Sequence, residues 1–237
     1  MKMKSAAAAG VLSLFLCAPL GAQVVPNGLE DTAGNSNQGA LNGNLRPTRH
    51  QQVYAGNEVT AGIITSIFFR QDEVYGTVAA TCTLTNATVV LSSTTVAVDA
   101  LSTTFADNLG ADATVVFQGD LVISTTDTTS NPRPFEIHIP FTTPFTFNPG
   151  PNINLVVDIT LPDQDTDIVC GGFPTIDRQL HPFDSVSSVF CWNGSCSPTF
   201  DTAPATDPQG LVTLFVQEIF DDGFESGDTT KWSSSVP

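Results

Sequence analysis

The segment Cys191-Trp192-Asn193-Gly194-Ser195-Cys196 holds the residues whose types and spacing could do the most chemistry. Two thiols at this distance can form a disulfide or hold a soft metal ion. Asn-Gly is the pair preferred at the centre of a two-residue type I′ hairpin turn, in which Trp192 would face Ser195. Cys191 and Cys196 then fall at a non-hydrogen-bonded position, where the short Cα separation suits a bridge. Zinc is disfavoured, because no histidine lies near the pair and Cys82 and Cys170 are remote in sequence. Four cysteines allow three connectivities, and the hairpin favours the one that leaves Cys82 for Cys170. Chain entropy assigns about 2 kcal/mol to the short loop and about 4.6 kcal/mol to the long one, before strain.

On a bridged tip the Trp192 side chain points to the face opposite the cysteines. An aromatic ring there can stack on a sugar face; the alternative is that it folds back over the sheet as a lid on the core. Asp163, Asp165 and Asp167 place carboxylates at alternate positions, as in the opening of calcium loops, where hard oxygens converge on one ion. The rest of an EF-hand is missing: Ile168 stands where Gly is needed and Pro174 where a bidentate Glu is needed. What remains is an irregular calcium site or a solvated turn.

The catalytic inventory is thin. The three histidines, His50, His138 and His181, belong to no recognisable nucleophile motif, and HExxH, P-loop and GxGxxG patterns are absent. His138, in Glu136-Ile137-His138-Ile139, alternates like a strand residue facing one side of a sheet and reads as structural. Paired carboxylates could hydrolyse glycosides, but with 24 acidic residues some pair will approach by chance, so spacing carries no signal. The expectation is a protein that is not an enzyme, with a secreted glycoside hydrolase-like enzyme as an alternative.

The elements that must position these residues begin with an export signal. Lys2 and Lys4 precede an apolar run from Ala6 to Leu16 that ends at Leu20-Gly21-Ala22, the pattern of a secretory signal peptide cleaved after Ala22. The run is too short for a membrane span, and Cys17, after Leu14-Phe15-Leu16, lacks a lipoprotein context. An oxidising compartment makes disulfides the default for the remaining cysteines. Losing Lys2 and Lys4 leaves the chain more acidic still than its formal charge of −16. With its few arginines scattered, the chain has no basic stripe, so nucleic acid and anionic membrane surfaces are unsuited as partners. The acidity itself reads as solubility outside the cell or as calcium binding.

Thr and Val abound, Lys and Glu are scarce, and no segment past the signal peptide sustains helical periodicity. The fold expected is all-β, an antiparallel β-sandwich or jelly roll with one short helix at most, over Leu101 to Leu109 with Ser102 or Thr103 as cap. Strands are predicted at Gln51 to Ala55, Ile63 to Arg70, Ala80 to Leu91, Thr114 to Ser124, Phe135 to Pro140, Asn152 to Leu161, Ser188 to Cys191 and Leu211 to Ile219. This divides the chain into a signal peptide (1–22), an irregular Gly/Asn/Pro-rich arm (23–48), a sandwich domain (49–219) and a tail (220–237).

The tail, Ile219-Phe220-Asp221-Asp222-Gly223-Phe224-Glu225-Ser226-Gly227-Asp228-Thr229-Thr230-Lys231-Trp232, resembles a C-terminal signature (DGFESGDTxxW) shared by many secreted bacterial proteins. The body, through Arg49 to Tyr54, Ile67 to Arg70, Leu91 to Thr95, Leu101 to Gly110 and Pro140 to Phe147, resembles uncharacterised secreted bacterial β-sandwich proteins. The resemblance implies a C-terminal sorting or anchoring segment, no known activity and no catalytic residues. Phe220, Phe224 and Trp232 could equally dock the terminus on the sandwich. Together these readings lead to a secreted or cell-surface protein of binding or structural type. Carbohydrate is the first ligand to test, calcium is a candidate ion, and a non-binding passenger sorted by its tail is the alternative. Peptide mapping without reduction should join Cys191 to Cys196 and Cys82 to Cys170; a Cys82 to Cys191 peptide would sink this connectivity.

Overall fold

The computed structural model describes residues 20–41, 47–76, 78–162, 174–180, 185–196 and 199–218. The chain is all-β, with antiparallel strands in three sheets. The first holds, in spatial order, β1 (Leu20–Val25), β13 (Thr213–Glu218), β4 (Gly62–Phe69) and β7 (Ile137–Phe147). The second runs β11 (Thr206–Asp207), β10 (Val186–Trp192), β3 (Thr48–Tyr54), β8 (Asn154–Leu161), β5 (Thr81–Thr94) and β6 (Thr114–Ser124). A small third sheet orders β12 (Gln209–Leu211), β9 (Ile176–Leu180) and β2 (Ser36–Gln38).

One core cluster draws Ile64, Ile67, Phe69, Ile139, Phe147 and Phe215 from the first sheet and Tyr54, Leu84, Val89, Leu91, Val157 and Ile159 from the second. That is the inward face of a β-sandwich, each strand contributing alternate residues. Tyr54 carries a hydroxyl into this core, where it bonds Thr213 Oγ1 at 2.7 Å and its ring meets Phe215 edge-on. A second, smaller cluster lies on the other face of the six-stranded sheet: Val53, Val156, Val189 and Cys191 pack against Leu101 and Phe105. There the expected helix over Leu101 to Leu109 is a single 3-10 turn, Phe105–Asn108, and its cap residue, Thr104, makes no side-chain cap bond. Asn108 instead bonds the Ser102 backbone and Gln51, and Gln51 bonds Asp158, so the segment is pinned to the sheet by buried amides rather than by helical bonds.

The other departures from expectation have equally local causes. β7 runs past Pro140 to Phe147, because it is an edge strand with an irregular pairing to β4, the two settings in which a proline's missing N–H leaves no ladder bond unmade. The arm over 23–48 is not irregular throughout: it supplies part of β1, along β13, and all of β2, along β9, and buries Val24, Val25, Ala40 and Leu41. β1 crosses the expected cleavage point, so a chain starting at Gln23 keeps Gln23, Val24 and Val25 paired with Phe215, Leu214 and Thr213. The Gln23 side chain also accepts hydrogen bonds from the Thr60 backbone and hydroxyl.

β9 has a sequence with little strand character, Ile-Asp-Arg-Gln-Leu, and it is held by charge. Arg70, fully buried, donates from Nε to Asp177 at 2.7 Å and from its terminal nitrogens to the carbonyls of Thr32 and Glu30. Asp177 also accepts the Gly34 amide. A Cβ on Gly34 would lie 2.3 Å from the Arg178 carbonyl, so the arm can approach β9 this closely only with glycine there. Asp177→Ala should cost about 3–5 kcal/mol in urea unfolding, because buried Arg70 loses its ion-pair partner and the Gly34 amide its acceptor. The double variant Arg70→Met/Asp177→Leu should recover much of that loss; a loss no larger than at exposed sites would contradict this account.

Candidate functional site

The ladder between β3 and β10 sets Thr48 opposite Trp192 and His50 opposite Phe190, all four on one face. β2 and the residues after it come over that face, and β9 brings Arg178 to it. Between them is a pocket of about 300 Å³ lined by Asn37, Gln38, Gly39, Ala40, Thr48, Arg49, His50, Arg178, Phe190, Cys191 and Trp192. Its aromatic wall is a continuous stack. His50 lies parallel to Phe190 at 5.8 Å, Phe190 parallel to Trp192 at 5.0 Å, and the Arg178 guanidinium sits 5.6 Å from the Phe190 centroid. Trp192, 43% exposed, ends the stack.

The two cations among the lining residues are already matched. Arg49 reaches through to the opposite face of the sheet, where it forms a bidentate pair with Asp158 and lies over Phe105. Arg178 pairs with Asp207 at 2.9 Å and donates to Ser188. Other polar groups are not matched. Among the described residues, Gln38 Oε1, Thr48 Oγ1 and His50 Nε2 are buried without a hydrogen-bond partner. Thr48 and His50 are themselves nearly inaccessible, at 4% and 3% exposure. A buried polar atom without a partner costs on the order of 1–3 kcal/mol, so three around one cavity mark a place where something supplies hydrogen bonds.

Burial, and secondly the Arg178 charge, push the His50 imidazole down to about 3. His50 is therefore neutral at physiological pH, and its two nitrogens offer one donor and one acceptor. No carboxylate lines the pocket among the described residues.

Trp192 points to the pocket while its neighbour Cys191 is buried in the second cluster and bridged to Cys196, with Cα atoms 4.9 Å apart. The bridge is formed, but not on the expected hairpin. Residues 193–195 make a 3-10 turn rather than a type I′ turn, and Ser195 Oγ closes it by accepting from the Trp192 amide and donating to the Trp192 carbonyl. Cys82 is also disulfide-bonded; Cys170, expected as its partner, lies outside the described residues. So do Asp163, Asp165 and Asp167 of the calcium motif, His181, and the signature tail with Phe220, Phe224 and Trp232. His138 lies far along β7, stacked on Phe68 at 4.1 Å, and takes no part in the pocket. No family model, curated protein or solved structure matches this chain.

The structure brings together another acidic group that sequence spacing did not reveal, Asp72, Glu73 and Asp177, with ligand atoms within 4.8 Å of one another. Arg70 is salt-bridged to Asp177 and Asp72 Oδ1 accepts the Val74 and Tyr75 amides, while Glu73 Oε2 is buried without a hydrogen-bond partner among the described residues. Sequence reasoning also missed His50, Gln38 and Arg178 as pocket residues. The one available signal was alternation: Thr48, His50, Gln52 and Tyr54 share a face with a strand that carries Phe190 and Trp192.

The His50 environment predicts a pH dependence. An unfolded chain takes up a proton near pH 6.5 that the folded imidazole refuses until about pH 3. Stability is therefore lost as the pH falls through that window, and above pH 6.5 this residue adds no slope. His50→Gln should lose less stability than the wild type between pH 7 and 4 in denaturant titrations; parallel curves would show that His50 titrates alike in both states.

Proposed function

We propose that this is an exported, extracellular or cell-surface binding protein, not an enzyme, whose ligand is a carbohydrate taken at the Gln38, Thr48, His50 and Trp192 pocket. The observation that carries the reading is the combination in one cavity of unmatched, uncharged polar atoms with an aromatic stack that ends at a half-exposed tryptophan. Sugars present hydroxyls at their edges and C–H faces above and below the ring, so a site for them needs hydrogen-bonding side chains beside a flat apolar surface. Glycoside hydrolysis by the usual route needs two carboxylates flanking the scissile bond. The described lining residues include none, which favours binding over the hydrolase alternative.

The export signal at residues 1–22 and the disulfides agree with an oxidising location. Calcium, if the protein uses it, would act at Asp163, Asp165 and Asp167 as a structural ion rather than in this pocket. The tail over 220–237 is proposed to sort or anchor the protein.

A glycan array probed with the oxidised protein, with and without calcium, tests the reading. Binding to a defined set of glycans that Trp192→Ala reduces by tenfold or more is the expected result. No signal in either condition, or signal unaffected by Trp192→Ala, would count against a carbohydrate site here.

A further inference from the structure

The size, charge and unmet hydrogen bonds of this pocket narrow its ligand beyond carbohydrate in general. A volume of about 300 Å³ is at the small end of ligand cavities, which run from about 300 to 1,000 Å³, and leaves room for one ring rather than a run of them. The pocket is half open, lined from β2, β3, β9 and β10, and its exposed aromatic, Trp192, ends the stack.

The charge balance is equally restrictive. Arg49 and Arg178 are each ion-paired, with Asp158 and Asp207, so their charges are already balanced. The chain as a whole carries a formal charge of −16, which works against an approaching anion. A cationic ligand would find no carboxylate among the described lining residues. What remains is an uncharged molecule able both to donate and to accept.

The three unmatched atoms ask for that. Gln38 Oε1 accepts, the Thr48 hydroxyl does either, and neutral His50 does either at Nε2 according to its tautomer. Vicinal hydroxyls on one edge of a sugar ring present both functions at the spacing of neighbouring side chains, and Thr48 and His50 are neighbours on one face of β3. An apolar side chain in the same place would leave all three atoms unmatched.

We infer that the pocket binds a single uncharged sugar ring at the end of a glycan chain, its hydroxyl edge against Gln38, Thr48 and His50 and one face against Trp192. This rests on the carbohydrate reading above and adds to it end-on recognition and exclusion of charged sugars.

The test uses the full, oxidised protein carrying Trp232→Phe, which leaves Trp192 as the remaining tryptophan of the two in the chain. Methyl glycosides of neutral hexoses, the matching uronic acids and amino sugars, and trisaccharides ending in each hexose are titrated while indole fluorescence is followed. The expected result is that one neutral methyl glycoside perturbs Trp192 and binds within about tenfold of the trisaccharide that ends in it, its charged counterparts binding at least tenfold more weakly. Thr48→Val, which keeps the side-chain shape, should weaken that glycoside roughly three- to tenfold, the effect of one hydrogen bond. Trisaccharide binding with the methyl glycoside a hundredfold weaker would overturn end-on recognition, and tighter binding of a uronic acid would overturn the exclusion of charged sugars; either would leave the carbohydrate reading standing. Binding of no saccharide would remove both.

Discussion

Arg70 and Asp177 are both withdrawn from water, and a buried ion pair is tolerable only when its remaining donors and acceptors are also met. Here they are met by backbone from distant parts of the chain. Arg70 holds the carbonyls of Glu30 and Thr32, Asp177 holds the Gly34 amide, the Asp177 amide bonds the Arg70 carbonyl, and the Val212 amide bonds the Asp177 carbonyl. The pair thus ties the N-terminal arm, the end of β4, β9 and the entry to β13 into one unit. Because neighbouring residues on a strand face opposite ways, fixing Asp177 on Arg70 turns Arg178 toward β10, where it meets Asp207, Ser188 and Phe190. The wall of the pocket formed by β2 and β9 exists through this arrangement.

The opposite wall depends on a similar division of faces. Along β10, Val189 and Cys191 enter the second hydrophobic cluster while the side chains of Phe190 and Trp192, on the other face, line the pocket. The Cys191–Cys196 bridge ties the end of β10 to the following turn from the buried side, so the aromatic side is left to the stack. On β3, Arg49 and Gln51 join Asp158 and Asn108 in a satisfied polar network on one face, while Thr48 and His50 on the other keep unmatched atoms. Further along that second face Gln52 is paired with the Leu211 backbone and Tyr54 with Thr213, so the unmatched atoms are confined to the pocket end of the strand. The contrast in hydrogen bonding between the two faces is the strongest indication that the pocket is not packing left incomplete.

The acidity of the chain bears on the chemistry such a site can do. In a chain so rich in carboxylates, this cavity has none among its described lining residues, and its buried imidazole stays neutral across the physiological range. A ligand in this pocket would be held by hydrogen-bond geometry and ring stacking, both weakly dependent on salt.

The all-β class, the central strands and the short disulfide were legible in the residues themselves. Val- and Thr-rich runs such as Thr114 to Ser124 bury one face by simple alternation, and that signal is local. β9 was not legible, because Asp177 and Arg178 read as loop until Arg70 and Asp207, far away in sequence, neutralise them. β7 was cut short at Pro140, because only its place at a sheet edge makes that proline harmless. The Asn193-Gly194 turn was read as a tight hairpin because local propensity favours one, whereas the next strand to pair with β10, β11, begins only at Thr206 and meets it at Ser188 and Val189. Trp192 could be singled out from its position next to a bridged cysteine. His50, Thr48 and Gln38 could not, since a histidine, a threonine and a glutamine become a site only when three strands bring them to one cavity and leave them without partners. The sequence by itself determined which residues could line a sheet and which cysteines could meet. Tertiary structure alone decided which polar groups were buried and which of those stayed unmatched, because burial and pairing depend on neighbours that sequence distance does not reveal.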